Sequence, residues 1–484
     1  MQIIQKIVDT VNAYLSDYVL IIMLLGAGIY FSVRTKFVQV RCFGEGMRNV
    51  FGKITLNGKK EKGAMSSFQA LATAIAAQVG TGNIVGACGA IFLGGPGAIF
   101  WMWIIAFFGM ATIYSEAVLA QKTRTVNEDG SISGGPVYYI KRAFKGNFGK
   151  FLAAFFAVAT MLALGFMGSM VQSNSIVSNF EGALAEVGVE FSAVNVIVGL
   201  VITVAAAFVF IGGVGRLASV TEKLVPIMAV IYILGGVTVI CINVTDIPES
   251  FALIFKYAFV PDALIGGSVG AAIKIAVSQG AKRGLFSNEA GMGSTPHAHA
   301  LANVKNPHEQ GTVAMISVFI DTFVVLTITA LVVISTLYAG DVITPESYGA
   351  LKESGVISGA NMAQIAFGET FGKLFGAKVG SYIGLWFVAI CLLFFAFSTI
   401  ISWNYFGKVN FNYLFGKRGT VIYSVIAVAF IFCGSLLSND LVWSCADMFN
   451  NLMVIPNVIA LVALGGVVVS ATKFKKDSEL PEIK

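Results

Sequence analysis

Charge is what this 484-residue chain has least of. Only 12% of its residues are Asp, Glu, Lys or Arg, whereas 56% are hydrophobic and the mean hydropathy is +0.81. Water-soluble domains carry about 25% charged residues. So little charge cannot cover an aqueous surface, which excludes a soluble domain and makes lipid the solvent for most of the chain. Histidine is scarcer still: His297, His299 and His308 gather behind one apolar run. They lack the spacing and carboxylate support of a metal centre. The six cysteines, Cys42, Cys88, Cys241, Cys391, Cys433 and Cys445, are scattered and lie mostly inside apolar stretches. No pair has ligand spacing, so they read as small buried hydrophobes, and no transition-metal site is expected. A phosphate-binding Gly-x-x-x-x-Gly-Lys-Ser/Thr loop is missing, which removes ATP as an energy source. No nucleophile–base or acid–base grouping stands out, so no enzyme and no organic cofactor is expected. The net charge of +6 is spread over short loops rather than one face, which argues against a nucleic-acid partner. The first 17 residues are mildly amphipathic and do not read as a cleavable signal peptide.

What the chain does have is apolar runs of membrane-spanning length, about 20 residues each. Eleven candidates fall at roughly 17–34, 66–93, 98–120, 149–175, 192–212, 224–244, 264–285, 312–337, 380–402, 419–437 and 448–471. They are continuously apolar rather than alternating, which excludes barrel strands. The fold class is therefore an all-α polytopic membrane protein forming a single membrane domain. With the N-terminus outside, 26 of the 32 Lys and Arg residues fall in cytoplasmic loops and the C-terminal tail, Lys282 and Arg283 among them. This predicts N-out, C-in and an odd number of spans. Residues 36–51 alternate basic side chains with Phe37, Val40, Phe43, Met47, Val50 and Phe51, as an interfacial helix would. The segment 338–379 is the longest external connection and reads either as a solvated loop or as a gate.

Two spans carry clustered glycines interleaved with polar residues. The second holds Gly80-Thr81-Gly82-Asn83, then Gly86 and Gly89; the seventh holds Gly266-Gly267, Gly270 and Ser278-Gln279-Gly280. Each glycine weakens a helix by roughly 1 kcal/mol, and glycine also lets a backbone approach a ligand closely. Close helix packing is the alternative use of such residues. The mid-span polar residues favour unwinding. Without the first span, ten remain as five plus five, and each half opens with an interrupted helix. Residues 1–65 then form an extra N-terminal helix and basic segment, 66–245 and 264–471 two five-helix repeats of opposite orientation, and 472–484 a cytoplasmic tail. That is the plan of an inverted-repeat transporter with its site at the midplane. A broken helix exposes N–H groups suited to a carboxylate and C=O groups suited to a cation, without fixed charges in the membrane.

Gly94-Gly95-Pro96-Gly97-Ala98-Ile99-Phe100-Trp101-Met102-Trp103 resembles the signature of the alanine or glycine:cation symporter family. So do Val79-Gly80-Thr81-Gly82-Asn83-Ile84, Gly134-Gly135-Pro136-Val137-Tyr138-Tyr139 and Gly284-Leu285-Phe286-Ser287-Asn288-Glu289-Ala290-Gly291. The resemblance covers nearly the whole chain. It implies a LeuT-type fold with one added N-terminal helix, in the cell membrane, working as a monomer. It also implies import of alanine, glycine or a similar amino acid with Na⁺ as coupling ion; an H⁺-coupled permease or an ion channel is the alternative. On this resemblance Gln78, Gly80, Thr81 and Gly82 belong to the substrate site, the backbone of the last three holding the carboxylate. Carbonyls of Ala76 and Val79, together with Phe395, Ser398 and Thr399, would hold sodium, and Asn83 a second sodium. The Ser398 and Thr399 hydroxyls could instead bond within their own helix. Gln172 is expected at the substrate or as interhelical glue, and Val277, Ser278, Gln279 and Gly280 around the substrate ammonium. Trp386 and Phe394 would cap the apolar side. Asp321 and Lys274 are the clearest intramembrane charges, either functional or paired with each other. Glu116 is a candidate for an inner gate.

Overall fold

The computed structural model of the chain describes residues 2–52, 65–128, 130–188, 193–260, 269–437 and 439–473. Gly266-Gly267, the basic stretch 53–64 and the tail beyond Lys473 lie outside the described residues. Among those described, nine helices are long and apolar enough to cross a membrane, and one bent pair makes a tenth.

The first crossing, α1 (Gln5–Arg34), reverses through left-handed Lys36 and Phe37 into a short helix, α2 (Phe43–Phe51). The segment expected to lie along the interface docks on the bundle, burying Cys42, Gly46 and Val50 and leaving Phe37, Val40 and Phe51 exposed. The bent pair follows: α3 (Ser67–Gln78) and α4 (Val85–Gly94), the two halves meeting at 55°. Ser66 starts α3 with a capping box, its hydroxyl accepting from Gln69 N–H while the Gln69 amide oxygen takes Ser66 N–H. After Gly95 at φ +72°, α5 (Ala98–Thr123) returns across the bundle. Next come α6 (Gly146–Glu186), α7 (Val194–Ile211) and α8 (Gly213–Ile242).

The second half opens with α9 (Val269–Asn288), an irregular stretch at 289–295, and one turn of helix, α10 (Pro296–His299). It continues through α11 (Pro307–Tyr338), a helical hairpin of α12 (Pro345–Ser354) and α13 (Met362–Phe375), then α14 (Ala377–Phe415), α15 (Lys417–Gly434) and α16 (Leu441–Ala463). The connection expected at 338–379 is thus a helical cap rather than a plain loop. Its Tyr348 donates to the Phe92 carbonyl of α4. Gly359 sits so close to Gly89 that a Cβ there would lie 2.7 Å from the Gly89 Cα.

The layers follow from side-chain apolarity. The helices α7, α8 and α15 expose Val201, Leu234 and Val421, an outer ring fit for lipid. The pieces α3, α4, α5 and α11 are mostly buried and form the middle. Widened π turns interrupt α6 at Met161–Gly168 and α11 at Phe319–Leu326. Such turns often accompany functional positions, and these lie beside Gln172 and at Asp321.

The structure corrects the second interruption. Residues 277–280 lie inside an intact helix. Gly280 serves packing: a Cβ there would come within 2.7 Å of the Trp101 Cβ and 2.8 Å of the Ala98 carbonyl. The unwinding falls one membrane layer deeper, where Glu289 (φ +58°), Gly291 (φ +91°) and Gly293 (φ +82°) take left-handed conformations that no α-helix can continue through. Lys282 and Arg283 therefore belong to the side of the bundle that carries the N-terminus, not to a loop on the opposite side.

Candidate substrate and cation site

The first break is built by small residues under tight packing. Past Gln78 the backbone turns to extended values at Val79 and Gly80, makes one tight turn at Thr81–Asn83 and re-enters a helix. Asn83 holds the turn, its amide oxygen accepting Gly80 N–H at 3.0 Å. A Cβ on Gly80 would collide with Thr399 Oγ1 and lie 3.2 Å from Gln172 Oε1; one on Gly82 would lie 2.9 Å from the Ser287 Cα. The freed Thr81 N–H donates to Gln172 Oε1 at 3.1 Å. Two polar atoms beside it, Thr81 Oγ1 and Gln172 Nε2, are buried with no partner. Gln172 thus touches the break directly. Gln78 Nε2 donates to the Asn288 carbonyl at 2.8 Å and ties the first break to the second.

The second break is held by carboxylates and amides. Glu116, fully buried on α5, accepts Gly291 N–H at 3.2 Å, Gly293 N–H at 2.9 Å and the Asn457 amide at 2.6 Å. Asn457 also donates to the Gly291 carbonyl. Glu289 accepts from Ser294 and from the Trp403 indole. Asp321, fully buried on α11, accepts from Asn83 Nδ2 at 2.7 Å, Ser287 Oγ at 3.0 Å and Thr322 Oγ1 at 2.8 Å. None of these three carboxyls has an ion-pair partner among the described residues. Asp321 joins both breaks, since Asn83 belongs to one and Ser287 precedes the other.

Beneath the first break lies a cluster of oxygens. Thr399 Oγ1 is 2.9 Å from the Ala76 carbonyl, 3.3 Å from that of Ala77 and 3.1 Å from that of Phe395; Ser398 Oγ is 2.8 Å from the Phe395 carbonyl and 3.3 Å from that of Ala76. Each hydroxyl has one proton to share among two or three carbonyls. The hydroxyls bond both within α14 and across to the open C-terminal end of α3, where helix carbonyls lose their own donors. The pocket is rich in acceptors and short of protons, the environment of a hard cation. Val79 is buried beside it.

Other expected residues fall elsewhere. Trp386 packs edge-on against Phe180, about 20 Å along the 39-residue α14 from Thr399. Ser278 donates to Asp17 of α1, about 15 Å up α9 from the break, and Val277 and Gln279 share its level. Lys274 does not pair with Asp321. It meets Asp17 at 3.2 Å with its side chain 48% exposed, and Lys282 meets the same carboxylate at 3.6 Å. Hydropathy missed Ser287 and Glu289, because the polar run after Leu285 lowers the average to that of a loop, and Trp403, which falls one residue past the expected end of the 380–402 span. The signal present was Glu289 and Gly291 at the end of a motif already singled out, with Gly293 just past it.

From the N-terminal side a cavity of about 760 Å³ runs along α4 as far as Val85 and Gly86, lined also by Gln5, Asp9, Arg283, Trp443 and Asp447 among others. Arg283 crosses its floor, 3.2 Å from Asp447 and with its guanidinium 4.4 Å over the Trp443 ring. Phe286 packs below, between Trp443 and Trp403.

Comparison with known proteins agrees with this architecture. A family model described as the sodium:alanine symporter family matches residues 1–480. The chain is 40% identical to the sodium/alanine symporter AgcS of Methanococcus maripaludis, over 97% of this chain and 96% of that one. It is 38% identical to the probable sodium/glutamine symporter GlnT of Bacillus subtilis, over 98% and 91%. The crystal structure of MhsT in complex with L-phenylalanine aligns with a TM-score of 0.57 at 12% identity, covering 85% of this chain and 99% of that one. That likeness places the fold among LeuT-type transporters. With a matching family model over nearly its whole length, the chain belongs to the sodium:alanine symporter family and is a Na⁺-coupled amino-acid transporter of the membrane rather than an enzyme.

Proposed function

We propose that the chain imports small neutral amino acids, alanine and glycine, together with Na⁺, by alternating access around the two facing breaks. The observation that carries this reading is the first break itself. It offers two unpartnered buried groups, Thr81 Oγ1 and Gln172 Nε2, and a Thr81 N–H bonded only to the Gln172 amide oxygen, next to a proton-poor oxygen cluster. Donors suit the substrate carboxylate; the cluster of Ala76, Val79, Phe395, Ser398 and Thr399 suits Na⁺. Asp321, a buried carboxylate that touches both breaks and has no ion-pair partner among the described residues, suits the substrate ammonium or a second cation seated with Asn83. The name of the M. maripaludis relative favours alanine. A driving ion gains about 2.3 kcal/mol per charge per 100 mV, and the Na⁺ gradient adds to that.

In this reading α9 and α10 are the two halves of an eleventh span, and the ten spans after α1 form inverted five-helix repeats. The N-terminus is outside in the plasma membrane, the C-terminus is cytoplasmic, and the monomer is the working unit. Arg283, Asp447 and Trp443 close the outer route, and Glu116 secures the inner half of the second break. Proton coupling is the second reading, favoured by the three buried carboxyls.

The test is uptake of radiolabelled alanine by proteoliposomes at fixed pH with Na⁺ replaced by choline. Uptake should fall to background. Undiminished uptake in choline removes the sodium assignment, and uptake that then follows an imposed pH gradient supports the proton reading. Competition by glycine but not glutamine should define the substrate size.

A further inference from the structure

Away from the breaks, on the side opposite the N-terminus, a soft, a borderline and a hard donor meet where α2 docks on α11. Cys42 immediately precedes α2, Glu45 stands in its first turn, and His308 is the second residue of α11. The Cys42 Sγ, a Glu45 carboxylate oxygen and an imidazole nitrogen of His308 all lie within 4.8 Å of one another. His308 Nε2 is 3.5 Å from Glu45 Oε2, and its Nδ1 is 2.6 Å from the Tyr114 hydroxyl. The transport reading uses none of these side chains.

A half-exposed His–Glu contact contributes little stability, and it leaves the thiol unexplained. The arrangement does match the way an imidazole is held for a metal. One ring nitrogen faces the other donors, and the second is fixed by an oxygen that sets the tautomer. Access matches as well: Cys42 is 7% exposed and the His308 side chain 14%, but the Glu45 side chain is 47% exposed. The cluster is closed at the thiol and open at the carboxylate. One sulfur, one nitrogen and one oxygen select a thiophilic divalent cation over Na⁺, Mg²⁺ or Ca²⁺. Tetrahedral Zn²⁺, with bonds of about 2.0–2.3 Å, needs the donors to close by about an ångström and leaves a fourth position for water.

We propose that Cys42, Glu45 and His308 form a binding site for a Zn²⁺-class cation that staples α2 to the first turn of α11, with Tyr114 orienting His308. Binding forms a metal–sulfur bond at Cys42 and releases the thiol proton to solvent. Cys42 and Glu45 are neighbours in the chain but His308 comes from a distant helix, so composition and spacing point to no such site.

The test uses the purified full-length chain in detergent under reducing conditions, with Co²⁺ as the probe and Zn²⁺ as the competitor. One Co²⁺ per chain should bind with thiolate-to-metal charge-transfer absorption, and Zn²⁺ should abolish that absorption. Cys42→Ser should remove the band, whereas Cys445→Ser should keep it. Tyr114→Phe should weaken Zn²⁺ binding about 10-fold or more, the usual effect of losing a partner that orients a ligand. Glu45→Gln changes a half-exposed side chain and so tests the site even if Cys42→Ser fails to fold; it should weaken Zn²⁺ by at least about 10-fold. A band that survives Cys42→Ser, a wild-type chain with no band, or unchanged Zn²⁺ affinity in Glu45→Gln would each overturn the proposal.

Discussion

Gly80→Ala is the smallest change that tests whether the first break is the transport site. The added methyl points at Thr399 Oγ1 and would lie 3.2 Å from Gln172 Oε1. Neither neighbour can retreat freely. Thr399 is fully buried and bonded to Ala76, Ala77 and Phe395, and Gln172 is fully buried and bonded to Thr81 N–H. Overpacking of this kind costs about 1–3 kcal/mol. Here the cost falls on the geometry that binds both ligands, so alanine affinity and the Na⁺ concentration for half-maximal uptake should each worsen about 5- to 150-fold, at 1.4 kcal/mol per decade. The assay is Na⁺-dependent alanine uptake in proteoliposomes, with thermal denaturation in detergent as the folding control. Gly280→Ala is the comparison, because its methyl would meet Trp101 and Ala98 far from the break. It should lower stability more than ligand affinity. Gly80→Ala with wild-type constants for both ligands would refute the reasoning, whatever its stability.

Thr399→Val removes an oxygen from the carbonyl cluster and leaves the Ala76 carbonyl short of a donor. A loss of about 1–3 kcal/mol should raise the Na⁺ requirement roughly 10-fold in uptake assays, and an unchanged requirement counts against the cluster as the cation site. Glu116→Ala leaves Gly291 N–H and Gly293 N–H without an acceptor, at about 1–3 kcal/mol each, and leaves the Asn457 amide only the Gly291 carbonyl. Its thermal midpoint should fall well below that of Glu116→Gln, which keeps one acceptor oxygen, and equal midpoints would show that the carboxyl does not hold the second break. Asp321→Asn keeps an acceptor for Asn83 but removes the carboxylate. Charge translocated per alanine, measured as electrogenic current against tracer flux, should drop if Asp321 seats a co-transported cation, and an unchanged ratio assigns it to other work.

Much of this architecture was readable from residue pattern. Apolar runs of spanning length located nearly every crossing, because the lipid constraint acts on composition over a fixed distance. The glycine-polar-glycine run at 80–83 located the first break, because only a ligand or an equally close neighbour rewards such a sequence inside a membrane. The second break was misplaced by ten residues for a physical reason. At 277–280 small residues serve helix packing against Trp101, and at 289–295 the polar run is acceptable inside the bundle only because Glu116 and Asn457 arrive from other helices. Nothing local announces those partners. Trp386 failed through length: α14 runs 39 residues, so an aromatic of suitable type can sit turns away from the site level. Lys274 read as functional or as a partner of Asp321, whereas its partner Asp17 comes from the added first helix.

The closeness of the two candidate loci bears on how transport can be coupled. Ala76 and Thr399 belong to the oxygen cluster; Thr399 also lies against Gly80, and the next residue, Thr81, presents its N–H to Gln172. A cation that draws in the Ala76 carbonyl and the Thr399 hydroxyl therefore acts on the same few peptide units that bind a carboxylate. In the proposed symport, cation and amino acid must strengthen each other by the same factor, since coupling free energy is reciprocal, and about 1–3 kcal/mol corresponds to 5- to 150-fold. Side-chain choice can then vary without disturbing this coupling. Relatives of nearly equal identity to this chain are named for alanine and for glutamine. The part of the pocket that meets the substrate side chain must therefore be separable from the backbone that meets its carboxylate.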